Sequence, residues 1–378
     1  MKLADVARVF DGERLTLARH LAGLQKNKLA AKIYKTPTAV ASYENGTKRP
    51  SPETVGQLSL ALGVDPEFFL AGGSRAGAAS GPPHFRSLRS TTQAARDQAR
   101  AYGLVAADVA ETLERHVEFP VVNLLEEPVS LDEDDVGTAT PEDCARAVRE
   151  AWDLGLRPAP HLVRLLESEG IVVVFSPRQV ASVDAYSFDS RGRPVIVLNP
   201  AKHDYYRQRY DVAHELGHLV MHCDAEPGSK IAESQANRFA AEFLMPERAI
   251  RPLLPSRVNW PTMLSLKEEW KVSLQALLYR ARTLEVLPES AHRTAMIYIS
   301  NQGWRRQEPG KTTSVEQPSL LPRASSLLEE SGRSESDLAT ECRVPLGLFR
   351  SVVSRVPEDG ERGSDAEREK SKVISLVG

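Results

Sequence analysis

The chain has 378 residues, is 41% hydrophobic and 26% charged, and carries a formal net charge of -3. That length suits two or three domains of ordinary globular composition, and the near-neutral balance carries no whole-chain signature of nucleic-acid binding, so local charge is the guide. Cys144, Cys223 and Cys342 are far apart and form no CxxC, which argues against a cysteine zinc site and fits a reducing compartment. No apolar run approaches the roughly 20 residues that span a bilayer. Residues 1–5 bring an early acid and no apolar core, unlike a signal peptide. A cytoplasmic protein without membrane contact is expected.

From about residue 12 to 72, short helical patterns follow one another. The first carries Leu15, Ala18, Leu21 and Ala22, and the second Leu29, Ala30 and Ile33. Thr36-Pro37 reads as an N-cap followed by proline at the first helical position, opening a third helix that faces inward with Val40 and Tyr43 and stops at Asn45-Gly46. Ser51-Pro52-Glu53 opens a fourth with Val55, Leu58, Leu60 and Leu62, and a turn from Pro66 to Leu70 closes an all-α bundle of five short helices. Arg14, Arg19, Lys26, Lys28, Lys32, Lys35, Lys48 and Arg49 stand against the single acid Glu44 between Arg14 and Arg49. This is a local footprint for a phosphate backbone, or else a solvated basic face.

The order Leu29-Ala30, Val40, Glu44-Asn45-Gly46-Thr47-Lys48-Arg49-Pro50-Ser51 and Leu62-Gly63-Val64 resembles the phage-repressor, or XRE-type, helix-turn-helix domain. The resemblance implies that the helix starting near Pro37 enters the major groove of an operator in double-stranded DNA. By position it implies that Pro37, Thr38 and Ser42 face base edges, and that Lys26, Lys48 and Arg49 lie where phosphate contacts position the protein. Tyr34 stands where the family's turn usually has glycine, and would be strained in a left-handed conformation. Pro37 and Thr38 are poor bidentate donors, so discrimination would draw on other positions or on DNA shape.

Residues 73–139 read as a linker and helical spacer. Gly72 to Pro83 is a flexible boundary. Arg86 to Val117 is helical, with an apolar stripe of Leu104, Val105, Val109, Leu113 and Val117 that suits a spacer or dimerisation arm, and a homodimer is expected. The acids from Glu126 to Asp135 read as a solvated loop. Thr140-Pro141-Glu142-Asp143 caps the next helix, which runs through Val148 and Trp152.

The central domain, residues 140–310, reads as helix, strand, strand, strand, then helices. Leu162 to Ser168 is a helix broken by Gly170. Ile171 to Phe175 is a buried strand, Val183 to Phe188 alternates as a second, Asp189 to Gly192 turns, and Val195 to Leu198 is a third. The helix that follows contains Asp211-Val212-Ala213-His214-Glu215-Leu216-Gly217-His218-Leu219-Val220. Histidines four apart differ by about 40° around a helix, so both imidazoles leave one face. Such a pair can chelate one Zn2+ ion, with the intervening Glu215 as general base toward a water at the metal. The bland reading is a pair of surface histidines, but the flanking apolar residues bury this helix, and unpartnered buried imidazoles cost free energy. The layout is α+β, with a small sheet over the HExxH helix.

Catalytic zinc needs a third protein ligand, and the next helix offers Glu233 and Glu242. With Phe239 at 0°, the apolar positions span about 0° to 140°; Glu233 falls at about 120°, inside that face, and Glu242 at about -60°, outside it. Glu233 is therefore the preferred ligand, the alternative being an arginine salt bridge. His222 and Cys223 are an extra ligand, or else a helix-terminal histidine and an ordinary thiol. Tyr186 is a transition-state donor or, more simply, a packed strand tyrosine.

The blocks Arg209 to His222 and Glu233 to Pro246, with Asn199-Pro200 and the stretch Trp270 to Arg280, resemble the ImmA/IrrE metallopeptidase family over about residues 145 to 300. The resemblance implies a zincin-like fold, His214, His218 and Glu233 as zinc ligands, and site-specific endopeptidase activity on helix-turn-helix repressors. Val195 to Leu198 could pair with an extended substrate. The tail, residues 311–378, reads as short helices followed by a charged, disordered end at Glu358 to Lys372.

The whole therefore reads as a multidomain DNA-binding transcriptional regulator with its own zinc endopeptidase, cutting a repressor or itself. The alternatives are a repressor whose zinc domain senses or dimerises with little turnover, and an antitoxin-like binding protein.

Overall fold

A computed structural model describes residues 2–70, 84–85, 92–127, 129–130, 139–177, 185–190, 192–201, 204–222, 229–310 and 313–356. The boundary expected at Gly72 to Pro83, the acids Asp132 to Asp135, Cys223 and the charged stretch Glu358 to Lys372 lie outside the described residues.

The N-terminal bundle has one helix more than its apolar pattern marks. Helix α1 (Leu3–Arg8) precedes α2 (Gly12–Leu21), α3 (Lys26–Lys32), α4 (Pro37–Glu44) and α5 (Pro52–Leu62), with a 3-10 turn at Pro66–Phe69. Local chemistry sets the boundaries. The Thr36 hydroxyl accepts from Ala39 N and Ser51 from Thr54 N, each with proline just inside the helix. The turn between α3 and α4 holds Tyr34 at φ 54° with its side chain 89% exposed. A side chain in that region costs about 1 kcal/mol, and here no packing offsets it.

The basic footprint is smaller than the sequence suggests. Arg14 is 2% exposed and its guanidinium pairs with Asp108 at 2.9 Å. Arg19 is buried against Glu44 at 2.5 Å, and Lys26 reaches the same carboxylate at 3.1 Å. Arg14 and Arg19 therefore hold the bundle together; the cations left on the surface are the lysines and Arg49.

Helix α6 (Gln93–Glu114) stands between the bundle and the sheet. Its apolar stripe is covered by the chain itself. One side meets the bundle: Asp108 takes Arg14, and Gln98 Nε2 donates to Leu21 O at 2.9 Å. A second side meets the sheet, with Tyr186 Oη donating to Ala99 O at 2.5 Å and Tyr102 Oη to Phe175 O at 2.9 Å. At the crossing is Gly103, where a Cβ would lie 2.7 Å from the Phe188 ring. A third side meets the tail helices α15 (Leu320–Glu330), α16 (Glu335–Cys342) and α17 (Leu346–Val353), which share its core through Leu321, Leu338, Phe349 and Val352.

The sheet has the order β1-β3-β4-β2, with β1 (His84–Phe85), β2 (Val172–Phe175), β3 (Tyr186–Ser190) and β4 (Arg193–Leu198). β3 and β4 form an antiparallel hairpin, β2 runs parallel to β4, and β1, absent from the sequence reading, pairs antiparallel with β3. Alternation along each strand splits the sheet into two faces. Val172, Val174, Tyr186, Phe188, Val195 and Val197 face the α6 side, whereas Val173, Phe175, Ile196 and Leu198 join the other core. Because β4 lies between β3 and β2, it has no edge for a substrate, and the expected pairing with Val195 to Leu198 is overturned.

That second core contains α7 (Pro141–Ala151), α8 (Leu162–Ser168), α9 (Tyr205–Met221) and α10 (Lys230–Leu244), followed by α11 (Glu247–Ile250), α12 (Trp260–Trp270), α13 (Leu274–Thr283) and α14 (Glu289–Asn301). The front of α9 is pinned by Arg209, which is fully buried. Its guanidinium donates to Glu316 Oε1, Pro160 O and Ala159 O at 2.5, 2.7 and 2.9 Å, and Glu316 Oε2 accepts from Val163 N at 2.8 Å. A buried guanidinium needs such a shell, since an uncompensated charge there costs several kcal/mol, on the order of 3–5.

Tyr34→Gly is expected to raise the unfolding free energy by about 0.5–1 kcal/mol in urea titration, because glycine relieves the left-handed strain at little loss of packing. A destabilised variant would show that Tyr34 makes a compensating contact.

Candidate metal centre

The centre is built from two helices. Asp204 caps α9 by accepting from Arg207 N at 2.8 Å, and Val212, Ala213, Leu216 and Val220 seat the helix in the core. The spacing of four places His214 and His218 on one face, both essentially buried, with their Nε2 atoms 3.1 Å apart. Ser229 caps α10, and Glu233 stands in its first turn. Glu233 Oε2 lies 3.3 Å from His214 Nε2, and Oε1 lies 3.4 Å from His218 Nε2. All three donors fall within 4.8 Å of one another, close enough for one cation to be shared. Burial pushes the Glu233 carboxyl up, but its hydrogen bonds with His214 and His218 outweigh this and hold it well below the usual carboxylate range.

Close approach of α9 and α10 makes this possible. At Gly217 a Cβ would stand 3.0 Å from Phe239 Cδ1 and 3.1 Å from Cγ. The glycine inside the histidine motif thus lets the Phe239 ring lie against α9, which brings α10 and Glu233 within reach.

Glu233 is the carboxylate the sequence favours, but not for the reason given. Its side chain is 22% exposed, while Glu242, placed outside the apolar face, is 2% exposed. Helices α7 and α13 cover that other side of α10: Glu242 pairs with Arg280 and, at 3.3 Å, with Arg146. The arginine salt bridge weighed for Glu233 therefore belongs to Glu242.

Three further side chains surround the centre. His222 Nδ1 meets His218 Nδ1 at 3.0 Å, on the ring nitrogen that faces away from Glu233. His222 Nε2 meets Gln235 Oε1 at 2.8 Å, and Gln235 Nε2 donates to Ser130 O at 2.8 Å. His222 thus stands behind the donor set and fixes the His218 ring, as outer-shell partners of ligating histidines do. Glu215 is 1% exposed and points toward the sheet, where Ser187 Oγ donates to its Oε2 at 2.7 Å. Ser187 and Gln235 do not figure in the sequence reading. The signal for Ser187 is a hydroxyl on the inward face of a buried strand, which needs a partner. Tyr186, weighed as a transition-state donor, faces the opposite way and donates to α6; its buried phenol is pushed well above the usual value by desolvation.

The residues expected at the DNA differ in exposure. Pro37 and Thr38 are exposed at the start of α4, as are Lys48 and Arg49 in the loop after it. Ser42 is half-buried and its hydroxyl donates to Thr38 O at 2.9 Å, while Lys26 is exposed and paired with Glu44.

A family model described as helix-turn-helix matches residues 16–69, and a peptidase-family model described as IrrE N-terminal-like domain matches residues 166–282. The chain joins a helix-turn-helix domain to an IrrE-like domain. The comparison with curated proteins finds no match. The IrrE-like match contains β2, β3 and β4, α9 and α10, and hence His214, Glu215, His218 and Glu233. Helix α6 and the tail helices that clamp it lie outside both matches. The two matches make this a DNA-binding type of regulator with a metallopeptidase-like domain. Among the described residues, no helix is long and apolar enough to cross a membrane.

Gly217→Val is expected to cost about 1–3 kcal/mol of stability through overpacking and to weaken any divalent-metal binding in calorimetric titration by forcing α10 away from α9. Unaltered metal affinity would show that Glu233 does not depend on this packing.

Proposed function

We propose that the chain is a DNA-binding transcriptional regulator whose IrrE-like domain is a zinc endopeptidase, cutting a helix-turn-helix repressor or the chain itself. The observation that carries this reading is the convergence of His214, His218 and Glu233 within 4.8 Å, with Glu215 beside them on the same helix. Two imidazoles and one carboxylate are the donor set of catalytic rather than structural zinc, since three protein ligands leave a position for water or substrate. Zinc held there would supply Lewis acidity to that water and to the scissile carbonyl. Glu215 takes a proton from the attacking water and passes it to the departing amine nitrogen. Ser187 fixes the Glu215 carboxylate at one oxygen, and His222 with Gln235 holds the His218 ring. The buried setting excludes bulk water and strengthens each of these interactions.

Depth favours a second reading as well. With His214, Glu215 and His218 almost inaccessible, the zinc domain of a repressor or antitoxin-like protein could serve as a sensor with little turnover. Glu215→Gln separates the two. It is expected to retain zinc by metal analysis and to lose all cleavage of a helix-turn-helix repressor panel, with loss of regulation; Glu233→Ala is expected to lose zinc as well. Normal regulation by the Glu215→Gln variant would favour the sensor.

On the DNA side, α4 enters the major groove with Pro37, Thr38 and Ser42 toward the bases, and Lys26, Lys48 and Arg49 meet phosphates. The regulator is read as a homodimer on a two-fold operator, in the cytoplasm. Lys48→Ala and Arg49→Ala are each expected to weaken binding to specific and non-specific duplexes alike, and to reduce the slope of log K against log salt by about 1. A slope unchanged in both variants would remove these residues from the interface.

A further inference from the structure

Without β1, strand β3 would be the free edge of the sheet, since the order is β1-β3-β4-β2. β3 is also the strand that touches the proposed general base: Ser187 Oγ donates to the Glu215 carboxylate at 2.7 Å and to Glu215 O at 3.3 Å. An extended peptide laid along this edge would pass beside the motif helix, its backbone held by the unpaired ladder groups of an edge strand. That place is taken by the chain itself. His84 stands opposite Ser187 and Phe85 opposite Tyr186, in antiparallel register. These two residues come from the connection between the helix-turn-helix bundle, which ends at Phe69, and α6, which begins at Gln93.

We propose that the peptidase site takes an extended peptide paired antiparallel with β3, and that the chain's own His84–Phe85 strand is its substrate, cut within the same chain. The inference rests on the endopeptidase reading above and names its substrate. The register puts the level of His84 with Ser187, the residue that holds Glu215, so the strand is presented at the catalytic level of the sheet rather than at its far end. Among the described residues, His84 and Phe85 make this pairing. The reaction is hydrolysis. The peptide C–N bond breaks, the hydroxyl of water joins the carbonyl carbon, and the proton taken by Glu215 goes to the released amine. Its product is a chain severed between the DNA-binding bundle and α6, so DNA binding and the peptidase no longer share one backbone.

The test uses the full chain loaded with zinc and followed by intact mass spectrometry. Wild type is expected to yield two complementary fragments joined at or beside residues 84–85, at a rate independent of protein concentration, and Glu215→Gln none. The double substitution His84→Pro, Phe85→Pro removes both N–H groups that could enter the ladder. It is expected to slow that cut at least about tenfold. A readout independent of turnover accompanies it. In the Glu215→Gln background, hydrogen exchange is expected to speed up, when the prolines are introduced, at whichever of Tyr186 and Ser187 has its N–H directed to β1 rather than to β4. Cutting at the same bond and rate in the proline variant, or exchange unchanged by it, would overturn the proposal. A wild-type chain that stays whole, or is cut elsewhere, while it cleaves an added panel of helix-turn-helix repressors would also overturn it and leave the endopeptidase reading standing. If neither the chain nor the panel is cut, both fail.

Discussion

Everything at the candidate centre depends on how closely α10 approaches α9. The histidine pair belongs to one helix and needs no tertiary help to share a face, but the carboxylate comes from another helix. Glu233 reaches His214 and His218 only because Gly217 has no side chain and the Phe239 ring fills the space. Packed interiors tolerate little change in volume, so a contact made by a ring and a missing methyl group sets the geometry of the donor set. Arg209 and Glu316 anchor the front of α9, and the pairs of Glu242 with Arg280 and Arg146 anchor the end of α10. These buried charges hold the two helices at fixed positions along their axes, a service that apolar contacts, being non-directional, do not supply.

The same sheet that covers the centre carries the connection to the DNA-binding bundle. β3 shows Ser187 to Glu215 on one face and Tyr186 and Phe188 to α6 on the other, where Gly103 admits the Phe188 ring. From α6, Asp108 reaches Arg14 of the bundle. The two matched regions are thus bridged by a single helix, α6, which lies outside both, and the tail helices close its third side. Arg14, counted in the basic footprint of the sequence, is a buried link between the bundle and α6. The bundle is docked on α6, not tethered loosely ahead of it.

The choice between two carboxylates rested on a premise that the fold does not keep. Helical angles chose Glu233 over Glu242 on the premise that the apolar face is the buried one. In the fold α10 is buried on both sides, so the premise fails, and Glu242 is the deeper carboxylate. A helical wheel registers side-chain type, not which neighbours arrive. The stripe on α6 was legible, but its partners were not, because an apolar stripe is equally suited to a second copy and to the chain's own remote segments. β1 left no pattern, since the two residues described in it are too few to alternate.

By itself the sequence determined what is local in origin: the capped helices of the bundle, the left-handed strain at Tyr34, the helix with His214, Glu215 and His218 on it, and the strand spacing before it. Each follows from backbone preferences or from a period of a few residues. Tertiary structure alone decided which carboxylate meets the histidines, which arginines are interior, that Ser187 holds Glu215 and His222 stands behind His218, and that β4 is closed while β3 takes a strand from the linker. These depend on residues tens to hundreds of positions apart, and their meeting is fixed by the packing of whole elements, which no local pattern encodes.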